Sequence, residues 1–274
     1  AVLSPPPPSN APSAPPSPVP TMPAAAERQM TISPSLTKFP LSRRFLRRAR
    51  VDKIRLQCYV YIVSDYIITT DLTADYPPEL MEDDFYIMPM SYAIDGVEYD
   101  GKTRAYLPAH EFFSLLASGK TASTSMVPTA VVYDYFADIL KRTGKDILHL
   151  SFPAAMSGCY ASCVEAANKL KTDFPERRVV VIDSKCASVG LGMLAWYALK
   201  KRREGASMGE NAAYVTELRD HIGHAFTVDD LMHLYRGGRL KRGSAVVGQV
   251  MKLKPIIMVD ENGALVNIAN VMGR

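Results

Sequence analysis

Residues 147–203 read ILHLSFPAAMSGCYASCVEAANKLKTDFPERRVVVIDSKCASVGLGMLAWYALKKRR, and this stretch decides the fold class. Ile147-Leu148-His149-Leu150 is a short apolar run of the kind a fully buried strand shows, and Val179-Val180-Val181-Ile182 is a second. Between them, Ser157–Leu170 has helical spacing. Ala187–Arg203 follows the second run as a long helix. Strand, helix, strand, helix at this spacing predicts an α/β domain with a largely parallel sheet, because parallel neighbours need a crossover between them.

The alternation continues on both sides of this block. Tyr66-Ile67-Ile68-Thr69-Thr70 is rich in β-formers, and Phe85 to Ile94 is a further apolar stretch that ends at an Asp95-Gly96 turn. Pro108–Ser118 and Pro128–Lys141 have helical spacing; in the second, Val131, Val132, Tyr135, Phe136, Ile139 and Leu140 share one face. Met208–His221 reads as another helix. Lys254–Val259 and Leu265–Ile268 read as strands around a Glu261-Asn262-Gly263 turn, which suggests a second unit beginning near residue 225. No internal repeat is visible.

Composition narrows the function classes. The chain has 274 residues, 47% of them hydrophobic, enough for one large or two modest domains. No run of 18 apolar residues occurs, so no transmembrane helix is expected. The formal net charge of +4 is unevenly placed: residues 38–55 hold eight Lys/Arg against one Asp, so 56–274 is net acidic. An acidic body argues against a broad nucleic-acid surface. Cys58, Cys159, Cys163 and Cys186 have neither disulfide-framework nor zinc-finger spacing, which favours a reducing, cytoplasmic compartment. Residues 1–23 carry ten of the twenty prolines, a composition that cannot bury a core. Residues 1–60 are therefore expected to form a disordered, proline-rich and basic extension. Its basic arm reads either as a solvated linker or as a membrane-surface or targeting helix, with at most transient membrane contact.

Several segments carry candidate chemistry. Arg236-Gly237-Gly238-Arg239 places an arginine beside a glycine corner, which reads as a helix end and as an anion site. Thr124-Ser125 precedes the helix from Pro128. Ser157-Gly158 opens the helix after the 147–150 strand. Both are strand-to-helix crossings, where α/β folds bind ligands and where hydroxyls and helix-terminal amides suit a carboxylate or phosphate. Each alone is ordinary capping; together with Arg239 they predict a convergent anion pocket.

Gly96-Val-Glu-Tyr-Asp-Gly101-Lys102-Thr103 matches the pattern of a phosphate-binding loop. Glu98 and Asp100 within it would repel phosphate, no helix starts at Lys102, and the alternation of Val97, Glu98 and Tyr99 favours a β-hairpin. Asp71-Leu72-Thr73 follows a strand and reads as a capping turn or a polar pocket wall. A phosphotransferase or phosphatase using Asp71 or Gly96–Thr103 is thus the rival reading. No serine-hydrolase elbow occurs, and neither the Cys159/Cys163 pair nor His149, His221, His224 and His233 form a metal-ligand pattern.

Taken in order, these segments resemble the DegV family of bacterial fatty-acid-binding proteins. The matching stretches are Thr70–Asp75, Ile87–Met90, Ile94-Asp95-Gly96 with Tyr99-Asp100, Thr124–Val127 and Met156–Tyr160. They continue through Ile182–Lys185, Ala187–Gly192, Val228–Leu231, Arg236–Leu240 and Lys254-Pro255-Ile256. The resemblance spans roughly 64–274. It implies two α/β domains, here 64–224 and the start of a second at 225–274, with the latter expected to be truncated.

It further implies a long-chain fatty acid buried between the domains, with its carboxylate held by Thr124, Ser157 and Arg239 and supported by Ser125, Gly158, Gly237 and Gly238. The protein would be a carrier, not an enzyme. It would use no cofactor or metal and would present the carboxylate to a separate dihydroxyacetone-kinase-like fatty-acid kinase. Three positions depart from the family pattern: Met126 stands for the usual Gln, Cys159 for Thr, and Pro153-Ala154-Ala155 for Ser-Ser-Gly.

Overall fold

The computed structural model describes residues 66–76, 85–228, 234, 236–239 and 253–272. All of them belong to one compact unit, residues 55–274. The 1–60 extension lies outside the described residues.

Four strands form a parallel sheet: β1 (Tyr66–Asp71), β2 (Phe85–Met88), β6 (Asp146–Ser151) and β7 (Val179–Asp183), in the order β2-β1-β6-β7. A small antiparallel sheet, order β4-β3-β5, is made by β3 (Tyr92–Ile94), β4 (Val97–Tyr99) and β5 (Ala122–Thr124). Helix α1 (Ala109–Ala117) lies between its last two strands in sequence. Helices α2 (Thr129–Thr143) and α3 (Cys159–Asp173) flank β6; α4 (Ser188–Arg203) and α5 (Met208–Leu218) follow β7. A third sheet, β10-β9-β8, is antiparallel and built from β8 (Ala225–Phe226), β9 (Leu253–Val259) and β10 (Leu265–Met272).

The central strands β1 and β6 are buried along their whole length, which is why each carries an apolar stretch, Tyr66–Ile68 and Ile147–Leu150, the latter broken only by the buried His149. Side chains on a strand alternate between faces. Tyr66, Ile68, Leu148 and Leu150 accordingly pack with Leu191, Leu194, Ala198 and Val215 of α4 and α5. Ile67 and Ile147 pack on the other face with Phe136, Leu140, Cys163 and Leu170 of α2 and α3. The result is a helix–sheet–helix sandwich. Helix α5 begins with a capping box, in which Ser207 accepts from the Glu210 amide and the Glu210 carboxylate accepts from the Ser207 amide.

Two boundaries differ from the sequence expectation. The apolar stretch 85–94 divides into β2 and β3, which lie in different sheets; Pro89, just past β2, has no N–H to continue the parallel ladder. The Met208–His221 helix ends as α5 at Leu218, and a short 3₁₀ turn, Arg219–His221, completes it. Among the described residues, no helix is long and apolar enough to cross a membrane.

Candidate functional site

The site gathers where the parallel strands end, the usual place for ligands in α/β folds. Asp71 closes β1 and is fully buried. Its carboxylate accepts from the Phe152 amide at 2.7 Å, from the Thr73 amide at 3.1 Å and from the Thr73 hydroxyl. Burial pushes this carboxyl up from its ordinary range, against those hydrogen bonds. Asp71 thereby fixes the loop after β1 against the loop after β6. Asp183, at the end of β7, accepts from the Ala154 and Lys185 amides at 3.2 and 3.1 Å and braces the same loop from the other side.

That loop, Pro153-Ala154-Ala155, delivers Ser157. The Pro153 carbonyl accepts from the Met156 and Ser157 amides at 3.0 and 3.1 Å, a tight turn that sets Ser157 just before α3. The Ser157 hydroxyl oxygen accepts from the Cys159 amide at 3.2 Å, so its own O–H remains a donor. Thr124 arrives from elsewhere, at the end of β5, paired with Tyr92 of β3.

Arg239 comes from a third segment. Gly238 has φ +72°, and the Arg239 amide donates to the Leu234 carbonyl at 3.1 Å, a helix ending that needs a left-handed residue before its last hydrogen bond. The guanidinium then reaches back: Nε donates to the Met156 carbonyl at 3.3 Å and Nη1 to the Gly237 carbonyl at 2.6 Å. Arg239 is thus tied to the residue next to Ser157.

Thr124, Ser125, Ser157 and Arg239 line one cavity of about 240 Å³, together with Leu72, Thr73, Met90, Ser91, Tyr92 and Phe152. Gly158, Gly237 and Gly238 do not line it. Next to it lies a cavity of about 600 Å³, walled by apolar side chains such as Met156, Val189, Met193, Phe226, Leu234 and Leu265. Its volume is in the range usual for small-molecule sites. Phe152 and Arg239 line both cavities. Helix α4 supplies one wall because it is apolar on two sides: Leu191 and Leu194 enter the core, while Val189 and Met193 stay 67% and 43% exposed.

A family model described as an uncharacterised protein of the DegV family matches residues 66–274. The chain belongs to the DegV family. A DegV domain-containing protein of Clostridium perfringens is 33% identical over 210 residues, which span 76% of this chain and 72% of that protein. Among solved structures, a fatty-acid-binding DegV family protein from Streptococcus agalactiae is 27% identical with a TM-score of 0.65, covering 76% of this chain and 72% of its own. A DegV family protein from Thermus thermophilus, described for its fatty acid binding, is 25% identical with a TM-score of 0.64 and the same coverage.

In this DegV-family chain the phosphate-loop look-alike is occupied by its own acid. Gly96 sits in the β3–β4 hairpin turn, and the Asp100 carboxylate accepts from the amides of Lys102, Thr103 and Arg104 at 2.8–3.1 Å and from the Thr103 hydroxyl at 2.9 Å. These hydrogen bonds hold its carboxyl at about 2. The amides that a phosphate would need already have an anion. Asp71, the other candidate of the rival reading, lines neither cavity.

Thr124, Ser125, Ser157 and Arg239, the residues the sequence singled out, line one and the same cavity. Sequence reasoning passed over Phe152, Met156, Ser91 and His224 as wall residues. Phe152 and Met156 had a signal, since they flank Ser157 at a strand end; His224 had none. Cys159 and Cys163 are buried free thiols on α3, and the Cys163 sulfur meets His149 Nε2 at 3.5 Å. Among the described residues no group of three His, Cys, Asp or Glu is arranged to hold a metal ion.

Proposed function

We propose that this chain binds a long-chain fatty acid, with its carboxylate in the polar cavity and its acyl chain in the apolar one. One observation carries the reading: a hydroxyl-lined cavity and a larger apolar cavity meet at Phe152 and Arg239. An amphiphile with an anionic head and an apolar tail fits that junction. Burying a carboxylate without donors is costly, and Thr124, Ser157 and Arg239 are the donors that offset it. The tail contributes about 0.8 kcal/mol for each methylene removed from water. Fatty-acid binding by the Streptococcus agalactiae and Thermus thermophilus proteins supports the same assignment.

The family resemblance extends the proposal. The chain acts as a carrier that presents the carboxylate to a dihydroxyacetone-kinase-like fatty-acid kinase in the cytoplasm, and the β8–β9–β10 sheet, through Phe226, Val259 and Leu265, helps enclose the ligand. Ser157 and Arg239 are the residues on which presentation depends. The test is native mass spectrometry of the gently purified chain with lipid extraction, for the wild type and for Ser157→Ala and Arg239→Leu. A stoichiometric fatty acid in the wild type, reduced in both variants, is the expected result. Loss of one charge-assisted hydrogen bond to the carboxylate is worth about 1.5–3 kcal/mol, roughly 10- to 150-fold in affinity. A folded chain that stays empty when offered long-chain acids would refute the assignment.

A further inference from the structure

The apolar cavity has a second neighbour. A polar cavity of about 760 Å³ is lined by Lys185, Arg219, Asp220, His221, Asp260 and Asn262, with Lys185 and Asp220 paired at 3.0 Å. Among the described residues, the apolar and polar cavities share Ile222, Gly223, His224 and Val259 and no other lining residue. Neither Phe152 nor Arg239, which mark the head-group end, touches the polar cavity. These four shared residues are therefore the partition between the apolar cavity and the polar one.

His224 is the polar, ring-bearing side chain in that wall, and it is held in place. Its Nε2 accepts from the Ala187 amide at 3.2 Å, so the ring caps the approach to α4. The glycine at 190 leaves room for it: a Cβ there would overlap Nε2 and push the ring away. Gly190 lines the apolar cavity beside Val189 and Met193, so the imidazole is seated on the floor of that cavity. Beyond it an acyl chain would meet charged groups in place of methyl and methylene contacts.

We propose that His224 is the stop of the acyl cavity and sets the longest chain the protein accepts. The inference rests on the fatty-acid reading above. Up to the stop, each added methylene is buried and affinity rises about fourfold; past it, the next methylene must displace the ring or enter a charged space, and affinity falls. Removing the imidazole joins the apolar and polar cavities, moves the limit to longer chains, and favours those whose far end carries a hydroxyl.

The experiment measures the affinity of the full chain, delipidated, for saturated acids of 12 to 24 carbons and for their ω-hydroxy forms, by calorimetry or displacement of a fluorescent acid. Wild type, His224→Ala and Val259→Ala are compared. The wild type is expected to show a sharp length limit. His224→Ala moves it by at least two carbons, leaves shorter acids within about threefold, and gains more for ω-hydroxy acids than for plain ones. Val259→Ala opens the same wall from β9 without touching the α4 cap and shifts the limit in the same direction by less. If His224→Ala does not fold, Val259→Ala decides. Length limits identical in the wild type and the folded variants would overturn the role of His224 while leaving the carrier reading intact. A wild type that binds none of the acids would overturn the carrier reading, and this inference with it.

Discussion

Acid should weaken this fold through His149, and the size of the effect follows from where that ring sits. His149 lies in the middle of β6 with no exposure. Its Nδ1 meets the Thr69 hydroxyl at 2.9 Å, its Nε2 the Cys163 sulfur at 3.5 Å, and the Phe136 ring stands edge-on at 5.2 Å. Among the described residues no carboxylate partners either ring nitrogen, and burial drives its pKa down to about 3. In the unfolded chain the same ring takes a proton near the ordinary value of about 6.5. Between those two values the unfolded state binds one more proton than the folded state, so stability falls as pH falls, by about 1.4 kcal/mol per pH unit.

Asp71 works in the opposite direction. Its folded pKa is raised, so the fold gains a proton there before the unfolded chain does, and acid partly compensates. A wild-type curve alone would mix the two. His149→Gln keeps a polar side chain and removes the titration. Urea unfolding of both proteins at several pH values from about 7.5 down to about 4.5 isolates the histidine. Between pH 6.5 and 4.5 the wild type should lose about 2.3 kcal/mol relative to the variant. Parallel stability curves across that window would refute the claim that this histidine is held neutral by burial, whatever the constant offset between the two proteins.

Two further outcomes are expected. Lys102→Ala should leave ligand binding unchanged, and Mg²⁺-nucleotide should not raise the melting temperature of the wild type, because Asp100 already holds the loop amides; a nucleotide-dependent shift that Lys102→Ala abolishes would revive the phosphotransferase reading. Ser207→Ala should destabilise by about 1 kcal/mol in thermal or denaturant unfolding and Ser207→Gly by only a few tenths, because the Ser207 cap on α5 is lost in one case and tolerated in the other.

The layered α/β class was legible because its central strands are buried on both faces. Such strands have no solvent side, so Ile147–Leu150 of β6 stands out as an apolar run, while Val179–Ile182 of β7 is as apolar in sequence although that strand is a half-buried edge of the sheet. The helix faces were legible for a related reason: Phe136, Ile139 and Leu140 recur at the helical period because one side of α2 meets the sheet. Where the chain changes sheets the signal failed. Nothing local separates Phe85–Met88 from Tyr92–Ile94 except Pro89, and their separation depends on which partner strand each finds.

The sequence by itself determined the class of fold, the family, and the kinds of group at the site: two hydroxyl-bearing crossings and an arginine after a glycine corner. Those follow from propensity, period and backbone freedom, which are properties of neighbouring residues. Only the tertiary structure decided that Thr124, Ser157 and Arg239 line one cavity, that Asp71 braces its walls without lining it, and that His224 stands between the apolar cavity and a polar one. Those are contacts between segments far apart in the chain. Their geometry is set by packing across the whole core, and no window of sequence contains it.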